Sequence, residues 1–432
     1  MKFMSCTLGE ICDEVGGIIR TGPFGSQLHE SDYTEEGIPV VMPKNIVDGK
    51  ISVEDIARIG EDDVARLAQH KLHKGDIVYG RRGDIGRRAL VTNKEDGWLC
   101  GTGCLRISLG NTILDPRYLY YYLGQPRVIE WIFNQAIGAT LPNLNTDIVR
   151  SIQISYPFLP TQRKIASILS TYDDLIENNT RRIAILEEMA QSLYREWFVH
   201  FRFPGHEKKG MVESLLGMIP EGWEVVKFST AVEIDPSTRI PREGEKPFVS
   251  MTNLSSVSML IDSYEMRFGN GGSKFKNDDT LFARITPCLE NGKTGYVQFL
   301  PSDQAIAFGS TEFIVLRSKT LCSEYVYLMA RSNEFRDNAI KSMTGATGRQ
   351  RVQVSSFDKF LLAQPDTDTL TAFRELVSPL FRNVYILAQK NANLRQTRDL
   401  LLPKLISGEL DVEGLDISIE GEQYDNALSR LI

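Results

Sequence analysis

PTQRKIASILSTYDDLIENNTRRIAILEEMAQSLYREWFVHFRF, residues 160–203, decides how the rest of this chain must be arranged. Stepping by seven from Ile165 gives Tyr172, Asn179, Leu186 and Leu193; the row four residues on gives Leu169, Ile176, Ile183, Ala190 and Trp197. Two neighbouring, mostly apolar rows at a seven-residue repeat make one seam, the pattern of a helix packed along another helix. Pro160 suits a position just ahead of the first turn and Thr161 can cap it, and no proline or glycine follows until Pro204. From Thr161 to Phe198 is about 38 residues, roughly 57 Å at about 1.5 Å per residue. An ordinary globular helix runs about 11 residues, so this one is a rod and needs a partner of similar length.

The partner is at the other end of the chain. Residues 367–407 carry Leu370, Phe373, Val377, Leu380, Val384, Leu387, Asn391, Leu394, Arg398, Leu401 and Leu405 at three-and-four spacing. Pro379 predicts a kink, or a short helix before a longer one, because it lacks a donor and crowds the preceding turn. Pro403 and Gly408 are expected to end it. Asn179 and Asn391 both fall on the seam, where a buried amide costs stability but fixes register; each is alternatively a partly exposed seam position.

A length of 432 residues suits about two to four domains. The 42 % hydrophobic and 24 % charged composition allows a sizeable core. The N-terminus MKFMSCTLGEICDEVGG has no apolar run of signal-peptide kind, and no stretch reaches transmembrane length, so a cytoplasmic protein without a membrane is expected. The six cysteines form no CxxC, and Cys100 and Cys104 read as buried thiols. The tail 409–432 holds seven acids against Arg430, a net −6, so the rest carries −1 of the total −7. A nearly neutral body with clustered bases permits DNA binding through local patches.

A repeat of about 205 residues runs through the chain. GDIVYGRRGDIGRRALV (75–91) aligns with DDTLFARITPCLENGKTGYV (278–297), placing Arg81 against Arg284. GTGCLRISL (101–109) aligns with GSTEFIVLR (309–317), and GAT recurs at 138–140 and 345–347. A long helix follows each copy. The segment 204–223 between them reads as a linker with proline, glycine and charge. Within each copy short runs rich in Val, Ile, Tyr and Phe predict strands. Asp48-Gly49 predicts a hairpin turn, and one helix is expected around residues 116–135, with a counterpart around 323–341.

No catalytic constellation emerges. An amino-methyltransferase would need an Asn/Asp-Pro-Pro-aromatic motif, and the chain has no Pro-Pro. FGNGG (268–272) lacks a strand–glycine–helix setting. Asp48-Gly49-Lys50 and Glu207-Lys208-Lys209 fit a nuclease's acid-x-Lys fragment, but in a turn and a linker. The five histidines pair with no Ser or Cys in a recognised order. No metal and no cofactor are expected.

What remains are basic and polar loops in duplicate. The first copy offers Ser26, Gln27, Lys44, Asn45, Arg81, Arg82, Arg87, Thr140 and Asn143. The second offers Asn253, Arg284, Thr286, Asn291, Lys293, Thr347, Arg349 and Gln350. Such side chains on glycine-bearing loops suit DNA: Arg grips guanine bidentately, Asn or Gln grips adenine, and backbone amides reach phosphate. Arg81 and Arg284 each emerge at a strand end, as a base or a phosphate contact. Alternatively, Arg81 pairs with Asp84 and braces its own loop.

Four stretches in combination resemble one family: YPFLPTQRKIASIL (156–169), NNTRRIAILEEMAQSLYREWF (178–198), GMIPEGWEVVKF (217–228) and LLPKLISGEL (401–410). Together with the repeat they make residues 1–410 resemble the DNA-specificity subunit of type I restriction–modification systems. The resemblance implies an α+β protein with a pseudo-two-fold internal repeat. In it, two similar target-recognition domains are separated by two long antiparallel helices that form a coiled-coil spacer. The expected divisions are 1–158 (first domain), 159–203 (helix), 204–216 (linker), 217–364 (second domain), 365–408 (helix) and 409–432 (acidic tail). Each domain would read one half of a split site in double-stranded DNA, with the helices as a ruler. Two copies of a methyltransferase subunit would bind S-adenosylmethionine and methylate adenine N6, and a translocase–endonuclease subunit could join. TDTLTAFRELVSPLF departs from the family by entering the second helix without the usual Pro-x-x-x-Gln, and the acidic tail is a further departure.

At about 3.4 Å per base pair, a rod of roughly 57 Å matches about 17 base pairs, and overhanging domains would also allow closer half-sites. Tyr194, Trp197, Phe198 and Phe201, with Phe203, exceed what one seam buries. They would either dock a partner subunit or pack under the second domain. Two other readings stand beside the family: a DNA-modifying nuclease or methyltransferase with an unrecognised site, and a scaffold that ignores DNA.

Overall fold

The computed structural model describes residues 2–82, 85–110, 113–135, 143–261, 263–346 and 348–417. The chain forms two compact units. One runs up to Leu175 and takes in the chain from Leu394 on; the other is Ile176–Asn393. The division cuts through both long helices, so each unit is a globular repeat completed by half of each helix.

In the first unit an antiparallel sheet is ordered Ile18–Thr21, Cys104–Ser108, Ile77–Gly80, Arg88–Leu90. A second sheet is ordered Leu99–Cys100, Ile38–Val41, Ala57–Ile59, Tyr33–Thr34, and its first pair is parallel. Met4–Thr7 pairs with Gln153–Tyr156 and closes the unit just before the first long helix. The second unit repeats the plan with Val232–Ile234, Phe313–Ser318, Thr280–Ala283 and Thr294–Tyr296 in one antiparallel sheet. Its mixed sheet again has one parallel pair, Lys246–Val249 with Ala307–Gly309. Glu224–Lys227 pairs with Leu361–Gln364 just before the second long helix. Asp48 and Gly49 both have positive φ, 49° and 79°, between the paired strands Ile46–Val47 and Lys50–Ile51, the two-residue turn expected there.

Each expected connecting helix is two helices. Pro116–Tyr122 and Pro126–Gln135 part at Gly124-Gln125, where Pro126 has no N–H to continue the ladder. Ser323–Ala330 and Asn333–Lys341 part where the Ser332 hydroxyl accepts the Phe335 N–H at 3.2 Å and starts a new helix. Nor is 204–223 a bare connector: Met211–Ser214 and Gly217–Pro220 form a hairpin, and Trp223 is buried.

The first long helix is Leu159–Tyr194, with Pro160 inside its first turn rather than ahead of it. Gln162, wholly buried, anchors that turn: it accepts from the Asp115 N–H at 2.8 Å and donates to the Ile113 and Pro157 carbonyls. The second, Thr367–Ser407, opens differently, on the Asp366 carboxylate accepting the Thr369 N–H at 2.8 Å, with Lys209 paired to the same acid. It runs unbroken through Pro379, so there is no separate short helix before a longer one, and through Pro403, which was expected to help end it. Both prolines lie on the exposed face, as do Glu375 and Asp399, the residues whose carbonyls a proline four positions on cannot reach with an N–H. Gly408, at φ 78°, ends the helix, and the Leu410 N–H reaches back to the Lys404 carbonyl.

The two helices run antiparallel within each unit. In the first, Arg398 pairs with Asp173, and Lys164 donates to the Glu413 and Leu415 carbonyls at 2.7 and 2.8 Å. Ile165, Ala166 and Leu169 enter the same core as Leu405, Ile406 and Val412. In the second, the Asn179 amide donates to the Asn391 side-chain oxygen at 2.9 Å, and Asn391 donates to Thr180 Oγ1 and the Ile176 carbonyl. The row Leu169, Ile176, Ile183, Ala190, Trp197 is buried throughout, whereas Tyr172, Leu186 and Leu193 on the other row are half-exposed flanks.

The aromatic end of the first helix packs into the core of the second unit, the second of the two placements expected for it. Its last turn, Arg195–Val199, closes from residue i to i+5, and this wider turn aims Tyr194, Trp197 and Phe198 the same way. Phe198 lies 4.7 Å from Phe373 and 4.6 Å from Tyr325, Tyr194 lies 5.2 Å from Tyr325, and Phe201 lies edge-on to Trp223. Tyr194, Trp197 and Phe198 are buried in this core, Trp197 only 5 % exposed, while Phe201 remains partly exposed at its edge.

Two outcomes follow from this packing. Asn391→Ala strands the Asn179 amide in the seam and is expected to cost about 1–3 kcal/mol in chemical denaturation, while a double change of Asn179 and Asn391 to Leu restores most of it. Equal losses in single and double variants would contradict the amide pair. Trp197→Ala should destabilise the chain without partners by about 3–5 kcal/mol. An unchanged melting temperature would return Trp197 to the surface.

Candidate nucleic-acid interface

The two repeats bring an arginine to the same structural place. Ile77–Gly80 ends in Arg81, whose N–H bonds the Gly103 carbonyl and whose carbonyl accepts from Leu144. Thr280–Ala283 ends in Arg284, whose N–H bonds the Glu312 carbonyl and whose carbonyl accepts from Val352. The next residues also correspond: Arg82 bridges Asn143, and Ile285 bridges Arg351. Buried hydrophobic strands deliver each arginine to the sheet's rim, and backbone bonds on both sides fix where its side chain starts. In both side chains Nε is buried without a hydrogen-bond partner.

Around Arg81, Asn143 and the loop that carries Phe24 come together. Its guanidinium lies over the Phe24 ring at 5.8 Å and donates to Asn143 Oδ1 at 3.2 Å, and the residue is 8 % exposed. Burial first, and the neighbouring Arg82 charge second, push its pKa down. Gln27 accepts the Phe24 N–H at 3.1 Å and closes the loop's own turn, and the Thr102 hydroxyl donates to the Pro23 carbonyl at 2.9 Å, tying the GPFG loop to the neighbouring chain segment. The loop presses so close that a Cβ on Gly22 would stand 2.0 Å from the Gly101 carbonyl oxygen. Ser26, Arg82, Arg87 and Asn143 are exposed around the rim, as is Lys44 on its turn. Asp84, the other partner considered for Arg81, lies outside the described residues, as do Thr140 and Thr347.

Around Arg284 the arrangement is more open. Arg284 is half-buried at the edge of a cleft of about 460 Å³. Glu312 is gripped from two sides by Arg351, at 2.7 Å through Nη2, which holds its carboxyl below the usual range. Asn291 and Arg349 are exposed. Gln350 ties to Thr286 twice, through its N–H to the Thr286 hydroxyl and through its carbonyl to the Thr286 N–H, both at 3.1 Å.

Several expected contacts are structural braces instead. Asn45 is 1 % exposed; its oxygen accepts the Met42 N–H at 3.1 Å and its amide reaches the Glu54 carbonyl. Asn253 does the same in the second copy, accepting the Ser250 N–H at 2.8 Å. A short turn needs its amide caught by a side-chain acceptor, and Asn three residues on supplies it. Thr286 is buried, and Lys293 spends its ammonium on the Met251 carbonyl at 3.0 Å. These four hold loops rather than offer donors. Phe24, 55 % exposed on its glycine loop, and Lys274 beside Arg284 were not anticipated. The flanking Pro and Gly of GPFG signal the first; nothing in the sequence around Lys274 signals the second.

Among the described residues no three His, Cys, Asp or Glu side chains are grouped to hold a metal, and no helix is long and apolar enough to cross a membrane. Residues 2–188 match the family described as type I restriction modification DNA specificity domain. The chain is 26 % identical over 396 residues to the type I restriction enzyme MjaIX specificity subunit of Methanocaldococcus jannaschii, covering 89 % of each chain. It is 24 % identical to the HindI specificity subunit of Haemophilus influenzae, over 81 % of this chain and 89 % of that one. Its fold matches the crystal structure of a type I restriction–modification S subunit from M. genitalium with a TM-score of 0.55 at 15 % identity, covering 94 % of this chain and 96 % of the other. Similar to these specificity subunits along more than four-fifths of its length, with the repeat and both long helices in place, the chain carries in residues 2–188 the DNA-specificity domain of type I restriction–modification systems.

Proposed function

We propose that this chain is the reading part of its complex and carries no catalysis of its own. Each unit contacts one half of a bipartite target in double-stranded DNA, and the strand-end arginine with its neighbouring loops faces the duplex. The observation that supports this most is the duplication itself: Arg81 and Arg284 sit in the same backbone frame, rimmed by exposed donors on each side. Arginine, lysine and asparagine donors at a rim match base edges and phosphates. Arg82, Arg87, Asn143 and Ser26 in one unit, and Asn291, Arg349 and Gln350 in the other, are the remaining candidates. Two copies of a methyltransferase subunit bind S-adenosylmethionine and methylate adenine N6 at the site so chosen, and a translocase–endonuclease subunit joins for restriction. The complex works in the cytoplasm, with no membrane involved.

The antiparallel long helices set the spacing between half-sites in this reading. Adding four residues to both, after Asn178 and after Asn391, lengthens each by about one turn, or roughly 6 Å. The methylation motif should keep both halves and gain about two base pairs of spacer, as read by methylome sequencing of a host that expresses all subunits. An unchanged spacer would show that something else measures the distance. Purified alone with DNA and either S-adenosylmethionine or Mg²⁺, the chain is expected to leave the DNA unmodified and uncut. Methylation or cleavage under those conditions would establish an active site of its own.

A further inference from the structure

The two strand-end arginines share a backbone frame but not a chemical state. Arg81 is engaged: Phe24 covers it and Asn143 accepts from it. Arg284 opens instead onto a cleft lined by Asp235, Ser237, Thr238, Lys274 and Thr311. Among the described residues no side chain accepts a hydrogen bond from its guanidinium and no carboxylate pairs with it, although two carboxylates are near enough to attract it. Each of these acids is already occupied. Asp235 accepts the Val315 N–H at 2.9 Å, from a left-handed backbone at φ 48°, and Glu312 is gripped by Arg351. A non-glycine residue held at such a φ beside a polar cleft is the kind of local strain that collects at binding sites.

This environment separates two ligands that an arginine fork recognises. A phosphate brings full negative charge and would meet the Asp235 carboxylate in the same cleft. A guanine edge presents two uncharged acceptors, O6 and N7, at the spacing of the fork, and an acid nearby repels it far less than it repels a phosphate. The pinned backbone at Arg284 limits how far its fork can wander, which discrimination between bases requires and phosphate attraction does not. Lys274 at the cleft is a compact charge suited to the backbone alongside.

We infer that Arg284 is a specificity-determining residue of the second unit, reading the O6 and N7 acceptors of a guanine from this cleft. The inference rests on the proposed function and names one residue and one base chemistry within it.

The test uses the complex assembled with its methyltransferase subunits, carrying wild-type chain, Arg284→Ala or Arg284→Lys. Its readouts are the methylation motif and binding to single-base variants at several salt concentrations. Both substitutions should reduce discrimination at one guanine of one half-site by roughly 5- to 150-fold, with the other half-site and the salt slope unchanged. At that position 7-deazaguanine should weaken the wild type and not Arg284→Lys. Arg284→Lys keeps the charge and most of the bulk, so it carries the test if Arg284→Ala fails to assemble. The inference is overturned if both variants keep the wild-type motif, or if the relaxed position is not a guanine. It is equally overturned if Arg284→Ala weakens all sequences alike, lowers the salt slope by about one and is rescued by Lys, the behaviour of a phosphate contact. A wild-type complex with no sequence-dependent binding would instead sink the proposed function.

Discussion

A helix of 36 residues with an apolar stripe must be covered along its whole length, and neither globular repeat can cover it alone. That constraint organises the molecule. The start of the first long helix and the end of the second complete one core, through Ile165, Leu169, Leu405 and Ile406. The end of the first and the start of the second complete the other, through Ala190, Trp197, Phe373 and Val377. Each repeat is therefore closed by chain from both ends of the sequence. The polar pair Asn179–Asn391 sits where a purely apolar seam could slide, and its hydrogen bond singles out one register.

The proposed recognition surfaces depend on the same economy of strands. In both units the hydrophobic strand that carries the arginine lies inside its sheet, between two neighbours. Burial of that strand gives the rim a fixed origin, while the loops beyond it are free to differ. They do differ: one copy roofs its arginine with an aromatic ring and the other leaves it beside a polar cleft. A fixed frame with divergent loops is how two copies of one fold can recognise unlike halves of one target.

Large-scale order was legible in the sequence because periodicity and repetition are collective signals. Dozens of residues voted for the long helices, and the Asp48-Gly49 turn follows from the two positive φ angles that such a pair tolerates. Single-residue roles were much less legible. Asn45 and Asn253 have the side chain that would grip adenine, yet the same amide closes a short turn, and composition does not distinguish the two uses. Pro379 and Pro403 broke nothing because each fell on the watered face of its helix, which the seven-residue pattern already implied but the proline rule overrode. The aromatic run from Tyr194 exceeds what one seam buries, and one wider turn gathers most of it inward under the second unit's core.

The central claim is that the two units are separate readers joined in one chain. Replacing residues 217–363 with the matching segment of a relative that methylates a different motif tests it most directly, read by methylome sequencing of the reconstituted system. The account predicts a hybrid motif in which one half changes and the other half stays. A motif changed in both halves, or in neither, would contradict it.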